Sequence, residues 1–193
     1  MTYHPANGDA AECSFGMPKA SHTPSDLTTP MNALTSSANL WPADTGLDAL
    51  NASFRNMPPV AAMKIRAVAC DGERIHLHAP LAVNVNDKNC AFGGSLASVM
   101  TLSAWGLLTW RLAEEGITAE VYVADSQLRY LAPLQEDLLG EAHLSPGEDW
   151  NAFLRCFQDR GRARIGLQAC VRDGHGRAVA EMTARFAALR ATV

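Results

Sequence analysis

The pattern of hydrophobic and polar positions divides the chain near residue 40. Residues 1–40 are rich in Ser, Thr, Pro, Ala and Asn and have no sustained apolar period, which predicts a flexible extension that cannot cover a core. From Leu47 to Met57 apolar residues recur at helical spacing, and Pro58-Pro59 predict the end of that helix. We therefore expect one folded domain over residues 41–193.

Beyond this helix, alternating apolar and polar residues predict antiparallel strands. Residues 63–68 and 75–78 form a predicted hairpin around Asp71-Gly72, because both turn residues tolerate positive φ. An irregular segment rich in Asn and Asp follows at 84–89. The later predicted elements are strands at 120–131 and 137–144, a short helix at 149–157, and a final hairpin of 164–172 and 177–189.

The segment 95–115 lacks Pro and carries apolar residues on every face, with charges only near its end. A helix that is apolar all round must be enclosed rather than laid on a surface. Gly116 is a suitable stop. The order of elements predicts an α+β fold in which a long buried central helix is wrapped by a curved antiparallel β-sheet.

Composition narrows the class of protein. A chain of 193 residues with a net charge of −4 does not favour nucleic acid as the main partner. No apolar run reaches the roughly 20 residues that a membrane span needs, and the first residues lack the features of a secretory signal. Five cysteines without a Cys-x-x-Cys pair predict reduced thiols rather than disulfides or a metal site. We expect a soluble, cytoplasmic protein without cofactor.

The start of the central helix, Phe92-Gly93-Gly94-Ser95, has two interpretations. It is either a tight turn into a helix or an anion-binding helix N-terminus whose unhindered amides stabilise the carbonyl oxygen of a substrate during acyl transfer. The pattern is not Gly-x-Gly-x-x-Gly and follows no parallel strand, which excludes a dinucleotide site.

Two further features carry candidate chemistry. Asp125 lies in the middle of a predicted strand, where a carboxylate is either exposed and paired, with Arg129 as a candidate partner, or partly buried with a raised pKa that suits a general base. A basic run of Arg155, Arg160, Arg162 and Arg164 either binds phosphates or an acidic protein face, or protects a strand edge by its charge.

The chain from about Leu47 to Arg190 resembles the hotdog superfamily and, more narrowly, the thioesterase family typified by the C-terminal domain of YiiD. The matching pieces are Asn84-Val85-Asn86, the stretch from Ala91 to Leu96, Trp105, Asp125-Ser126 with Tyr130-Leu131-Ala132-Pro133, and the stretch from Arg160 to Arg164. The resemblance implies a homodimer whose sheets join edge to edge, with a tetramer as the alternative, and an acyl chain held near the helices.

The resemblance also implies roles for individual residues. Gly94, or else Gly93, supplies the oxyanion donor, and Asn86 positions the thioester or the water, unless it is only a loop residue. Thr101 stands where related enzymes carry an acidic base. It can orient water, but it cannot serve as that base, which leaves Asp125 or the Asn86-Asp87 loop. The predicted substrate contacts are made by Phe92, Ser95, Tyr130, Arg162 and Arg164.

These observations favour the cofactor-free hydrolysis of an acyl-CoA or acyl-carrier-protein thioester. A protein that binds acyl thioesters without cleaving them is the first alternative, because the helix lacks a carboxylate. A hotdog dehydratase or lyase is the second, and it is disfavoured because Phe92 replaces the His that such an enzyme needs.

Overall fold

The computed structural model describes residues 45–191, with side chains from Gly46 onward. The predicted extension at 1–40 lies outside these residues and stays a prediction, as does the cytoplasmic location. None of the described helices is both long and apolar enough to cross a membrane.

The described chain forms four α-helices, one 3-10 helix and six strands. They are α1 (Thr45–Arg55), α2 (Pro58–Ala62), β1 (Arg66–Cys70), β2 (Arg74–Ala79), the 3-10 helix (Leu81–Val83), α3 (Gly93–Glu114), β3 (Ala119–Tyr130), β4 (Leu138–Leu144), α4 (Trp150–Arg160), β5 (Arg162–Arg172) and β6 (Ala178–Arg190).

The structure corrects the sequence prediction at the entry to β1. Pro58 begins α2 as well as following α1, because the first turn of a helix does not need the N–H that proline lacks. Met63 then ends α2 in a helical conformation, and Lys64 has a positive φ of 53°. The first strand therefore begins at Arg66 rather than at residue 63.

The six strands form one antiparallel sheet in the order β1-β2-β4-β5-β6-β3, so β1 and β3 are its edges. Helix α3 packs on one face. It approaches β4 so closely at Gly140 that a Cβ atom there would collide with the side chain of Val99. This arrangement confirms the predicted α+β fold with a central helix and a curved antiparallel sheet.

The core lies between α3 and the sheet, where Val99, Met100, Leu107 and Leu108 are fully buried. One stripe of α3 is only half-buried, and we call it the open stripe: Ala97, Ser98, Thr101, Leu102 and Trp105. The prediction that the helix is enclosed on every side is therefore wrong along this stripe.

Candidate active site

The candidate active site is the N-terminus of α3. Phe92 is the N-cap residue, and its side chain makes no capping hydrogen bond. The first backbone hydrogen bond of the helix is donated by Leu96 N–H to the Phe92 carbonyl at 3.0 Å. The amides of Gly93, Gly94 and Ser95 precede it and have no carbonyl one turn back within the helix. Three N–H groups and the positive end of the helix dipole therefore lie at the start of α3, an arrangement that can stabilise an anion.

The Phe92 ring explains why position 94 is glycine. A Cβ atom on Gly94 would collide with this ring, whereas a Cβ atom on Gly93 would lie 3.7 Å from the nearest Tyr130 ring atom, an ordinary contact. The two glycines therefore differ: a side chain at position 94 would displace the exposed Phe92 ring, and one at position 93 would not displace Tyr130.

Two exposed aromatic residues flank the helix start. Phe92 and Tyr130 are 55% and 56% exposed, and the Tyr130 hydroxyl donates to the Gly93 carbonyl at 3.2 Å. Leu131 and Val85, which are close in sequence to Tyr130 and Phe92, are also exposed. Exposed apolar side chains thus lie beside the amides at the helix start, and we call them the apolar rim; sites for small ligands with one polar group combine such elements.

The side chain of Asn86 is used within its own loop. Its Oδ1 accepts from Lys88 N–H at 2.8 Å and Cys90 N–H at 3.3 Å, and its Nδ2 lies 3.2 Å from the Cys90 Sγ. This geometry favours the alternative in which Asn86 shapes the loop. The neighbouring carboxylate of Asp87 is largely exposed and is bound by Lys88 at 3.0 Å.

The hydroxyl groups along α3 are partly committed to other contacts. Ser98 donates to the Gly94 carbonyl and Ser103 to the Val99 carbonyl, each at 2.8 Å. Thr101 lies in the open stripe, with its Oγ1 3.7 Å from the Met182 sulfur. Ser95 as a whole residue is buried.

Asp125 does not have the properties that were predicted for a base. A bulge between Val123 and Asp125 shifts the register, so that Asp125 pairs with Arg185 on β6 and lies on the sheet face away from α3. Its side chain is 52% exposed and its carboxylate binds Arg185 at 2.6 Å, while Arg129 pairs with Glu181 instead. The hydrogen bond from Arg185 holds the pKa of Asp125 below its usual value.

The structure therefore favours the exposed, paired alternative for Asp125, with Arg185 rather than Arg129 as its partner. Asp125 also precedes Tyr130 by five residues, which corresponds to about 16 Å along the strand. Arg162 and Arg164 are exposed on the same outer face, and the charge of Arg164 contributes to the low pKa of Asp125. The structure thus brings Phe92, Gly93, Gly94 and Tyr130 together and places Asp125, Arg162 and Arg164 elsewhere.

Asn84 has no assigned role in the sequence analysis, but the structure places it against the helix start. It is 2% exposed, and its backbone carbonyl accepts from Phe92 N–H at 2.7 Å. Sequence alone offered one signal, the position of Asn84 in the same short motif as Asn86. In the described part of the chain no group of three or more His, Cys, Asp or Glu side chains is arranged to hold a metal ion.

The six-stranded antiparallel sheet with its central helix is a hotdog fold, which solved structures share. The chain belongs to the family described as "Putative thioesterase (yiiD_Cterm)", whose model matches residues 47–190.

Solved structures share this fold. A protein of unknown function from Chlorobaculum tepidum is 27% identical with a TM-score of 0.70, over 75% of this chain and 94% of its own. A "putative thioesterase" from Shewanella oneidensis is 23% identical with a TM-score of 0.67, over 75% and 97%. A thioesterase from Haemophilus influenzae is 16% identical with a TM-score of 0.60, over 79% and 96%.

Proposed function

We propose that the protein hydrolyses acyl thioesters carried by coenzyme A or by an acyl carrier protein. The observation that supports this most strongly is the set of amides at Gly93, Gly94 and Ser95, which have no acceptor one turn back in the helix and lie beside the exposed aromatic residues Phe92 and Tyr130. Family membership supports the same reaction class.

In this proposal the thioester carbonyl oxygen accepts hydrogen bonds from the amides of Gly94 and Gly93. Water adds to the carbonyl carbon, and the amides stabilise the charge that builds on the oxygen. The C–S bond then breaks, the thiolate takes up the proton that the water has lost, and the free acid leaves. Phe92, Tyr130 and the Ser95 turn contact the substrate, with the apolar rim against the acyl chain.

We further propose that the working form is a homodimer joined along β3. This edge strand exposes Tyr122 and Val123, and the open stripe of α3 is only half-buried. Thr101 lies about 12 Å along the helix from Gly93, too far to act on a water in the same site. Ala97 lies midway between them, so two antiparallel helices that cross at Ala97 bring Thr101 of a second copy near Gly93, where its hydroxyl can orient the water.

Asn86 acts in this proposal by holding the 86–90 loop, and Arg162 and Arg164 act by attracting the anionic carrier to the outer face of the sheet. Asp125 has no part in it, because its carboxylate is paired with Arg185 on that outer face.

A panel of acyl-CoA and acyl-carrier-protein thioesters tests the proposal. Free thiol release is followed with a thiol reagent, and binding is measured in parallel by calorimetry. Hydrolysis of at least one apolar acyl thioester is the expected result. Tight binding without thiol release would contradict hydrolysis and indicate an acyl-binding protein, and loss of water from a 3-hydroxyacyl thioester would indicate a lyase.

A further inference from the structure

Asn84 connects three segments that meet at the start of α3. Its side-chain Nδ2 donates to the Met63 carbonyl at 2.9 Å and to the Pro80 carbonyl at 2.8 Å. Its backbone N–H donates to the Leu81 carbonyl at 2.8 Å, and its backbone carbonyl accepts from Phe92 N–H at 2.7 Å. One buried residue therefore joins the end of α2, the 3-10 helix and the N-cap of α3.

The chemistry of these contacts requires a primary amide. Two carbonyl oxygens accept from the same nitrogen, so the side chain must carry two N–H donors on a short stem. Serine offers one donor, and an ionised aspartate offers none and would set a negative charge against two carbonyl oxygens. The Oδ1 of Asn84 is buried and accepts no hydrogen bond from the described residues, so the two donor bonds fix the orientation of the amide.

The backbone of Asn84 is connected to the proposed oxyanion donors through Phe92. Phe92 N–H is bound to Asn84, and the Phe92 carbonyl belongs to the peptide group whose N–H is that of Gly93. The Phe92 ring packs over Gly94. A shift of the 80–84 segment therefore moves Phe92 and turns the amides of Gly93 and Gly94 away from the carbonyl oxygen.

We propose that Asn84 is the positioning residue for the oxyanion donors, acting through Phe92 rather than by touching substrate. The proposal rests on the hydrolytic function proposed above. Small errors in the placement of reacting groups are costly, and a displacement of about 1 Å can lower a rate on the order of a hundredfold.

The test compares Asn84→Asp and Asn84→Ser with the matched control Asn51→Asp. Asn51 is also a bridging amide, since it donates to the Ala67 carbonyl at 3.0 Å and accepts from Ala67 N–H at 2.8 Å, but it joins α1 to β1. All variants are assayed well below their own melting temperatures, and the rates are corrected for the folded fraction.

We expect Asn84→Asp to lower kcat tenfold or more, on the order of what misplaced donors cost, with KM changed less than about twofold. The kcat of Asn84→Ser is expected to lie between those of the wild type and Asn84→Asp, because serine keeps one donor. Asn51→Asp is expected to lower the melting temperature and to leave kcat unchanged. In protein labelled with 15N-glycine, the amide signals of Gly93 and Gly94 move in Asn84→Asp and stay in place in Asn51→Asp.

Wild-type kcat in folded Asn84→Asp would overturn the assignment, as would an equal loss of kcat in Asn51→Asp. If both Asn84 variants fail to fold while Asn51→Asp folds, Asn84 is needed for folding only. That result would also overturn the positioning role. If the wild-type protein releases no thiol, the proposed function fails by itself. The glycine signals then decide on Asn84, and unmoved signals in Asn84→Asp would contradict the positioning role.

Discussion

At the scale of single residues, the environment of a carboxylate decides its role. Asp125 and Glu141 are both bound by arginine on the outer face of the sheet, and the pKa of each is lowered. Burial disfavours the ionised form of Glu141, but hydrogen bonds from Arg172 at 3.0 Å and from the Cys170 thiol at 3.3 Å outweigh it. Both carboxylates are thus ionised partners in ion pairs rather than proton acceptors.

The substitution Asp125→Asn tests this interpretation. The variant loses an exposed ion pair with Arg185 but keeps the shape of the side chain, and exposed pairs contribute little to stability. We expect kcat for thioester hydrolysis to stay within about twofold of wild type. A large loss of kcat with an intact fold, measured by thiol release and circular dichroism, would return Asp125 to the catalytic groups.

The pH dependence of stability tests the state of Glu141. Its folded pKa lies below the unfolded value of about 4.3, so its stabilisation is complete above that value and is lost as pH falls through the folded pKa. We expect Glu141→Gln to lower the free energy of unfolding by about 1–3 kcal/mol near pH 7. In urea titrations this difference should shrink below pH 4. A loss of free energy of unfolding that stays constant with pH, or an equal loss in the exposed control Glu120→Gln, would contradict the ionised state of Glu141.

At the scale of elements, the helix ends are specified by short local signals. Asp149 caps α4 by accepting from Asn151 N–H at 2.8 Å and Ala152 N–H at 3.2 Å, and Gly161 ends the same helix with a φ of 67°. The start of α3 has no such side chain, since Phe92 is its N-cap. Asp149 thus satisfies two of the first amides of α4, whereas the first amides of α3 have no side-chain acceptor from their N-cap residue.

Removal of the α4 cap has a predictable cost. Asp149→Ala leaves two amides without their acceptor, and we expect a loss of about 1 kcal/mol in the free energy of unfolding. Asp149→Asn keeps an oxygen in the same place and should retain most of that stability. Thermal unfolding followed by circular dichroism measures both, and equal melting temperatures for the Ala variant and wild type would contradict the capping role.

At the scale of the whole molecule, the sheet has one edge that is suited to pairing. Strand β3 is 12 residues long and exposes Tyr122 and Val123, and unpaired strands of this kind favour pairing with another strand. The open stripe of α3 is also only half-buried. In the proposed dimer, a second copy pairs along β3 and covers the open stripe as well.

Two matched valines on opposite edges of the sheet test this pairing. Val123 on β3 and Val68 on β1 are 43% and 42% exposed. We expect Val123→Lys to give a monomer with thiol release reduced tenfold or more, on the order of what losing a catalytic group costs, because like charges meet at the paired edge. Val68→Lys should have the same mass in solution as the wild-type protein, because β1 is not the proposed interface. Light scattering after size exclusion measures the mass, and a dimeric Val123→Lys would contradict the β3 interface.

The sequence predicted the fold more completely than the site, for physical reasons. Periodicity is a local property, so the apolar run of α3 and the turns at Gly72 and Gly176, both with positive φ, were predictable. The face on which Asp125 lies depends on a bulge that no spacing reveals, and its partner Arg185 is 60 residues away. Asn84 and Asn86 belong to the same short motif but differ in burial. Burial depends on the packing of segments that are distant in sequence, so the motif alone could not distinguish the two residues.

In the proposed function the amides at the start of α3 stabilise the oxyanion that forms when water attacks a thioester, and one paired rate measurement tests this role most directly. Gly94→Ala puts a methyl group against the Phe92 ring and displaces this proposed substrate contact beside the amides, whereas Gly93→Ala adds the same methyl group in ordinary contact with Tyr130. With the best thioester of the panel, we predict that Gly94→Ala lowers kcat on the order of a hundredfold and that Gly93→Ala retains most of it. Equal rates in the wild-type protein and both folded variants would contradict the account.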